Sequence, residues 1–306
     1  MLTLAQSLTS QALNAGLSIE GITMYLFWVG TVAMGAGTAY FWLMAPTVPR
    51  AYRSVMIVAG IITAVAAFHY YRMSGIYLEQ VAGLFTATGE RIPGAEIGQF
   101  PTAYRYIDWL ITVPLLVLEI PLLLNLGKRA RGLFYSLVGA SVLMLVFAWV
   151  AEESVVGGAS WWINYIVSCL AWFYIVFILY TKVNEQMQTQ PPSIVRSLKT
   201  LRLFILVGWT IYPVGFLMAL AGPEGESIRE VCYNVADVIN KVFFGLVCYQ
   251  GVKVLSETGQ TPDAQPEELL PYSSLLPAFA RDTILSQAHE LAEQQERKLR
   301  DDVHDL

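Results

Sequence analysis

Charged side chains are scarce in this sequence. Lysine, arginine, aspartate and glutamate together make up 14% of its 306 residues, against about 25% in ordinary soluble domains. Hydrophobic residues make up 55% and the mean hydropathy is +0.50. This balance excludes a soluble globular protein and favours one that crosses a membrane several times. The first apolar run lacks a basic segment before it, which argues against a cleavable signal peptide.

Cysteine and histidine are also rare, with three of each. Cys169, Cys232 and Cys248 fall inside apolar runs, which is typical of small core side chains and argues against a disulfide framework. His69 is the one histidine within the apolar part of the sequence. We therefore predict no metal site.

Seven apolar runs of about 20 residues or more, the length of a membrane-spanning helix, follow one another along the chain. They cover roughly residues 20–45, 52–75, 103–126, 132–151, 161–181, 201–221 and 230–254. The fold class that they predict is an all-α membrane protein with a bundle of seven transmembrane helices. We place this bundle at residues 19–255, after an N-terminal extracellular segment, 1–18, and before a cytoplasmic linker and tail, 256–306.

Two segments outside the apolar runs have patterns of their own. The loop after the second helix contains ATGERIPGAEIG, whose glycines and proline predict a short β-hairpin. Near the end of the chain, RDTILSQAHELAEQQERKLRDDVHDL has apolar residues near helical spacing. It predicts an extra cytoplasmic helix in the tail, over about 280–306.

The basic residues indicate the orientation in the membrane. The loops after the first, third, fifth and seventh helices have beside them Arg50, Arg53, Lys128, Arg129, Arg131, Lys182, Arg196, Lys199, Arg202 and Lys253. The opposite side has Arg72, Arg91 and Arg229. Because cytoplasmic loops carry the excess of lysine and arginine, we expect the N-terminus outside and the C-terminus in the cytoplasm.

Lys241 is a lone cation inside the apolar run VCYNVADVINKVFFGLVCYQ. Asp237 precedes it by four residues, on the same face of a helix. A charge at the depth of a bilayer is costly and indicates a functional site with a nearby partner. The alternative is a buried ion pair with a purely structural role.

The third predicted helix, RYIDWLITVPLLVLE, carries a second set of polar groups. Arg105, Asp108, Thr112 and Glu119 lie at i, i+3, i+7 and i+14, which keeps them near one face. The helical rise separates Asp108 from Glu119 by about 16 Å. Ionisable groups arranged in this way inside a membrane are typical of a proton relay.

Four segments together resemble the microbial rhodopsins, most closely the proteorhodopsins: RYIDWLITVPL, GWTIYPVG, YNVADVINKVFFGL and AFHYYR. The resemblance covers about residues 20–255. It implies a light-driven outward proton pump, which is not an enzyme, in the plasma membrane, with all-trans retinal bound to Lys241 as a Schiff base. It also implies a homo-oligomer, a pentamer or similar ring, in the lipid bilayer, and no role in nucleic-acid binding.

The resemblance assigns roles to the polar groups. Asp108 is expected to be the counterion and proton acceptor, Asp237 the second counterion, and Arg105 the partner that keeps both ionised. Thr112 is expected to hydrogen-bond the Asp108 carboxylate, or only its own helix backbone. Glu119 is expected to be the proton donor, protonated in the dark because its neighbours are apolar. Sensory relatives commonly lack a carboxyl at this position, so Glu119 favours a pump.

Further positions bear on the counterions. His69 matches a proteorhodopsin histidine that hydrogen-bonds the counterion, which would make pumping depend on external pH. Tyr70 is expected to point into the same network. Near the outer end of the seventh helix, Glu224, Glu226 and Glu230 are either a proton-release group or solvated loop acids, and we favour the second.

The resemblance also predicts the walls of the retinal site. These are Tyr106, Trp109, Leu116, Met144, Trp209, Tyr212, Pro213 and Phe216. Leu116 resembles the residue of green-absorbing forms. Tyr165 stands where rhodopsins with a carotenoid antenna have glycine, so we expect no carotenoid.

The tail keeps one alternative function open. Residues 280–306 offer a surface for a partner, and a photosensory rhodopsin that signals through this tail would use the same retinal site. Light-driven acidification of the medium discriminates between the two.

Overall fold

The computed structural model describes residues 18–86, 90–95 and 100–258. Seven helical rods run through them: α1, Ile19–Met44; α2, Arg53–Ala82; α3, Ala103–Leu124; α4, Arg131–Glu152; α5, Ala159–Tyr180; α6, 192–221; and α7, 222–257. The seven predicted helices are therefore confirmed. The N-terminal segment 1–17 and the predicted tail helix 280–306 lie outside the described residues.

The sequence around each turn explains where the rods end. Ser18 caps α1, because its hydroxyl accepts a hydrogen bond from the backbone N–H of Gly21. Asn125 ends α3 in the left-handed conformation. Pro192 opens α6 at the first helical position, where its missing N–H costs nothing. Gly222 separates α6 from α7 with a φ of +72°, which glycine adopts far more readily than other residues.

Three of the rods extend further than hydropathy indicates. α2 continues to Ala82, α6 begins at Pro192, and α7 begins at Gly222. These extensions are amphipathic, with one buried face, for example Ile194 and Leu198 in α6. Hydropathy identifies only the apolar residues at bilayer depth, so it does not detect the more polar turns at the ends of a helix.

The rods pack as a closed ring. Consecutive rods contact each other from α1 to α7, and α7 contacts α1. Large apolar side chains on the outer face of the ring are exposed, including Val32, Leu43, Ile163, Leu170 and Phe177. Five of the rods, and the continuous stretch Pro192–Glu257 that contains the other two, are long and apolar enough to cross a membrane. A lipid environment accounts for such an outer surface.

The predicted hairpin after α2, at 87–98, lies partly outside the described residues. Phe85 and Arg91 form one antiparallel bridge, flanked by backbone hydrogen bonds from Thr86 to Glu90 and from Ile92 to Leu84. No strand is present in the ranges given above. This loop lies on the side of the bundle where α1 begins, here called the N-terminal side; the opposite side, where α7 ends, is the C-terminal side.

Candidate functional site

Lys241 lies at the centre of the bundle, in a π-helical turn of α7, Ile239–Phe243. Its side chain is buried, and Nζ lies 2.6 Å from Oδ2 of Asp108 on α3 and 3.0 Å from Oδ2 of Asp237. Turns of this type are frequent at functional sites. One buried cation is thus shared by two buried carboxylates.

The two carboxylates differ in their other partners. Asp237 accepts hydrogen bonds from Tyr212 at 2.7 Å and from Tyr70 at 3.0 Å, and a longer one from Trp109 at 3.3 Å. Tyr70 therefore contacts the carboxylate beside Lys241. Asp108 is bound through Oδ2 to Lys241, whereas its buried Oδ1 has no hydrogen-bond partner.

Two expected hydrogen bonds to the Asp108 carboxylate are not formed. The Thr112 hydroxyl donates to the main-chain carbonyl of Asp108 at 2.9 Å, which is the alternative left open above. His69 is buried, and its Nδ1 lies 4.0 Å from Asp108 Oδ1. That nitrogen instead lies 2.9 Å from the Val65 carbonyl of its own helix. In both cases the helix backbone satisfies the side chain, because a carbonyl one turn earlier is always within reach.

Arg105 was expected to hold both Asp108 and Asp237, but its main partner is Glu230. Its Nη2 and Nε donate to Oε2 of Glu230 at 2.7 and 3.0 Å. Asn234 accepts from Nη2 at 2.6 Å, whereas Asp237 is 3.9 Å from Nη1. The fully buried guanidinium therefore points mainly toward the N-terminal side, away from Asp108.

The expectation that Glu230 is a solvated loop acid is wrong. Its exposure is 2%, because α7 begins at Gly222 and turns this residue inward. Glu224 is exposed, as expected, and Glu226 is partly exposed. Arg229, one of the three basic residues assigned to this side of the membrane, is also buried, and it pairs with Glu152 of α4 at 3.0 Å.

Thr102 connects these groups into one cluster. It receives a hydrogen bond from Arg229 at 2.7 Å and donates to Oε1 of Glu230 at 3.2 Å. The outer cluster, defined as Thr102, Arg105, Glu152, Arg229 and Glu230, thus links α3, α4 and α7 on the N-terminal side. Buried charges of both signs alternate along it, which limits the cost of their burial.

A largely apolar cavity adjoins Lys241 on the side of α4, α5 and α6. All of the predicted wall residues line it: Tyr106, Trp109, Leu116, Met144, Trp209, Tyr212, Pro213 and Phe216. Tyr165 lines it too, with its ring stacked on Phe216 at 5.2 Å and an interplanar angle of 8°. Sequence reasoning missed Trp172, Tyr233 and Asn240, which also line the cavity.

Comparison with known proteins identifies the family. A family model described as bacteriorhodopsin-like protein matches residues 21–255. The green-light absorbing proteorhodopsin of Gamma-proteobacterium EBAC31A08 is 32% identical over 245 residues, which cover 79% of this chain and 90% of that protein. The chain belongs to the bacteriorhodopsin-like family.

Solved structures support the assignment of the chain to this family. The Exiguobacterium sibiricum rhodopsin is 40% identical, with a TM-score of 0.67, and the match covers 77% of this chain and 98% of that one. Xanthorhodopsin, described as a light-driven ion pump with dual chromophore, is 28% identical, with a TM-score of 0.71 and coverage of 81% and 98%. These likenesses support the seven-helix fold.

Membership of the family implies a retinal chromophore, and the residues of this rhodopsin fit one. The cavity offers aromatic and aliphatic walls for an apolar polyene. Lys241, which carries a buried primary amine, lines the same cavity, together with Asp237, whose carboxylate would balance a cation there. Lys241 and Asp237 thus place ionisable groups beside one part of a cavity that is otherwise largely apolar.

Glu119 of the rhodopsin lies apart from all of these groups, about three helical turns along α3 from Asp108. Its side chain is fully buried. Oε2 lies 3.7 Å from Sγ of Cys248 on α7, and Oε1 has no hydrogen-bond partner. Glu119 and Asp108 are therefore well separated along α3, as predicted, and their surroundings differ. Asp108 pairs with a cation, whereas Glu119 contacts a thiol.

A signal for the burial of Glu230 was present in the sequence. Glu230, Asn234, Asp237 and Lys241 are spaced by four, three and four residues, the spacing of one helix face. The predicted seventh helix, 230–254, already includes Glu230, and this spacing puts its carboxyl on the same face as Lys241. Thr102 and Glu152 had no such signal, because they join the cluster across helices.

Glu230→Ala in the rhodopsin should lower stability strongly, because it leaves the buried Arg105 without its closest carboxylate. Breaking a buried pair by removing one partner costs about 3–5 kcal/mol. We expect the midpoint of thermal unfolding, followed by helical circular dichroism in nanodiscs, to fall clearly below that of the unaltered protein. Glu224→Ala, at an exposed position of the same helix, is the control and should change little. Equal midpoints for both variants would contradict the importance of this pair.

Proposed function

We propose that this rhodopsin is a light-driven outward proton pump in which Lys241 carries all-trans retinal as a Schiff base. The observation that carries the proposal is the contact between Lys241 Nζ and Asp108 Oδ2, at 2.6 Å, combined with a second buried carboxyl, Glu119, further toward the C-terminal side. Proton transfer in one direction requires at least a proton acceptor on one side of the Lys241 cation and a proton donor on the other.

Asp108 is proposed as the counterion and proton acceptor. Oδ2 lies within hydrogen-bond distance of the lysine nitrogen, and the unpartnered Oδ1 leaves the carboxyl with room to bind a proton. Retinal, when bound, would supply the absorption of light and the isomerisation that drive the cycle. Asp108 would then receive the proton that leaves the nitrogen of Lys241.

Asp237 is proposed as the second counterion, which stays ionised throughout. Its carboxylate already accepts hydrogen bonds from Tyr70, Tyr212 and Trp109 and lies 3.9 Å from Arg105. Donors of this number stabilise the anion and leave it little tendency to take a proton. This difference from Asp108 supports transfer to one carboxyl and not to the other.

Glu119 is proposed as the donor that returns a proton to the Lys241 nitrogen. A carboxyl that is fully buried and has a single weak partner is more stable protonated than ionised, because the charged form has nothing to replace its hydration. Protonation in the resting state is what a donor needs. Glu119 would afterwards recover its proton from the C-terminal side.

The outer cluster is proposed as the exit route. Arg105 connects Asp237 to Glu230, and Thr102 connects Glu230 to Arg229. A proton released by Asp108 would leave past these groups on the N-terminal side. The excess of basic residues beside the opposite loops supports an N-terminus outside and a C-terminus in the cytoplasm, which makes this direction outward.

Replacement of the acceptor tests the pump directly. Asp108→Asn cannot take up a proton, so light-driven acidification of an unbuffered suspension of cells supplied with retinal should vanish. The loss of an anion beside the cation should also move the absorption maximum to longer wavelength. Glu224→Gln, the same exchange of a carboxyl for an amide at an exposed position near the start of α7, is the control. Unchanged acidification by Asp108→Asn would refute the assignment, whereas absent acidification by the unaltered protein would favour the photosensory alternative.

His69 is proposed to couple Asp108 to the external pH. Its ring lies 4.0 Å from the unpartnered oxygen of Asp108, close enough for the charges to interact in a buried site. Because a protonated Asp108 cannot accept another proton, pumping should decline as external pH falls. His69→Asn should move the pH at which this decline and the accompanying colour change occur. Tyr71→Phe, on an exposed neighbour, should not; identical titrations for all three proteins would exclude the coupling.

Tyr165 is proposed to exclude a carotenoid antenna, because its ring stacks on Phe216 beside the cavity wall. Added carotenoid should therefore transfer no excitation energy to retinal in the unaltered protein, as judged by the fluorescence excitation spectrum. Tyr165→Gly should open the site. A carotenoid band in the excitation spectrum of the unaltered protein would contradict this proposal.

We also propose that the protein functions in the cell membrane as a homo-oligomeric ring. Its apolar outer surface suits contact with lipid and with further copies. Native mass spectrometry from nanodiscs would test the assembly, and a purely monomeric species would exclude it.

A further inference from the structure

Cys248 lies on α7, seven residues beyond Lys241, and its side chain is fully buried. At 1.5 Å per residue this is about 10 Å along the helix toward the C-terminal side. There Sγ lies 3.7 Å from Glu119 Oε2. The thiol thus joins α7, which carries the lysine, to the proposed proton donor on α3.

Glu119 has few polar contacts besides this one. Its second oxygen has no hydrogen-bond partner, and within residues 18–86, 90–95 and 100–258 no ion pair involves it. Asp237, by contrast, has three hydrogen-bonded side chains besides Lys241. In the described part of the chain, the Cys248 thiol is therefore the sole hydrogen-bonding partner of the Glu119 carboxyl.

We propose that Cys248 is a positioning residue for Glu119, whose S–H···O hydrogen bond sets how readily this carboxyl releases its proton. The inference rests on the proposed role of Glu119 as donor. The proton passes from the Glu119 carboxyl to the Lys241 nitrogen and leaves a carboxylate, which later takes a proton from the C-terminal side. The thiol keeps its own proton throughout, so the step involves no oxidation.

The chemistry of sulfur gives this contact its particular effect. A thiol is a weak hydrogen-bond donor, so it stabilises the Glu119 carboxylate only a little. The carboxyl then stays protonated at rest, yet the ion formed during transfer is not left without any donor. Removing the thiol withdraws this support, whereas a hydroxyl in its place provides a stronger one.

Time-resolved absorption of the full-length protein with retinal in nanodiscs measures the return of the proton to the Lys241 nitrogen. Cys248→Ala should slow this step by roughly three- to tenfold, the effect of one lost hydrogen bond. Cys248→Ser, which restores a donor of similar size, should bring the rate back to that of the unaltered protein or above. Cys232→Ala, a partly exposed cysteine of the same helix, is the matched control and should leave the rate unchanged.

Infrared difference spectroscopy supplies a readout that a packing defect would not reproduce. Light should shift an S–H stretching band when Glu119 loses its proton. This band should be absent from Cys248→Ala and retained in Cys232→Ala. In Glu119→Gln the S–H band should no longer shift at this step.

The outcomes separate the two proposals. An unaffected return of the proton in Glu119→Gln would remove the donor role itself. Slow return in Glu119→Gln together with normal rates in Cys248→Ala would refute the inference about Cys248 alone. Equal slowing in Cys248→Ala and Cys248→Ser, with no shift of the S–H band in the unaltered protein, would also refute it, because a loss of packing would then explain the effect.

Discussion

Neutralisation of one buried cation is the constraint on which the rest of the site depends. Lys241 cannot remain charged at the centre of an apolar bundle unless anions lie beside it. Asp237 is supplied by the same helix, one turn away, and Asp108 must come from α3. Their contacts bring α3 and α7 together at bilayer depth. The tyrosines and tryptophan around Asp237 then complete a polar centre inside a seven-helix shell.

From this centre the two sides of the bundle differ sharply. Toward the N-terminal side, Arg105, Glu230 and Arg229 form a continuous chain of paired charges. Toward the C-terminal side, Glu119 is surrounded by apolar packing and has the Cys248 thiol as its partner. Groups joined by many strong hydrogen bonds hold their charge, whereas an isolated carboxyl holds its proton. This asymmetry is the physical basis of the proposed transfer in one direction.

Several features of the site were predictable because they depend on a single helix. The seven rods follow from hydropathy, and the pairing of Lys241 with Asp237 follows from helical spacing. The cavity wall involves α3, α4 and α6, and it could be predicted only from the resemblance to the microbial rhodopsins; its predicted residues do line the cavity. Errors arose where a side chain had more than one partner within reach. His69 binds its own helix backbone and Arg105 prefers Glu230, because a nearer or better-shaped acceptor competes with the Asp108 carboxylate. The same competition decides between the two alternatives left open for Thr112.

The sequence by itself determined the membrane-spanning fold, the family and the main polar groups of α3 and α7, among them Asp108, Asp237 and Lys241. Only the tertiary structure decided which groups meet across helices: Arg105 with Glu230, Arg229 with Glu152, and Cys248 with Glu119. The physical reason is that periodicity reports the direction of a side chain around its own helix axis. It contains no information on the height and rotation at which a neighbouring helix packs, and hydrogen bonds depend on both.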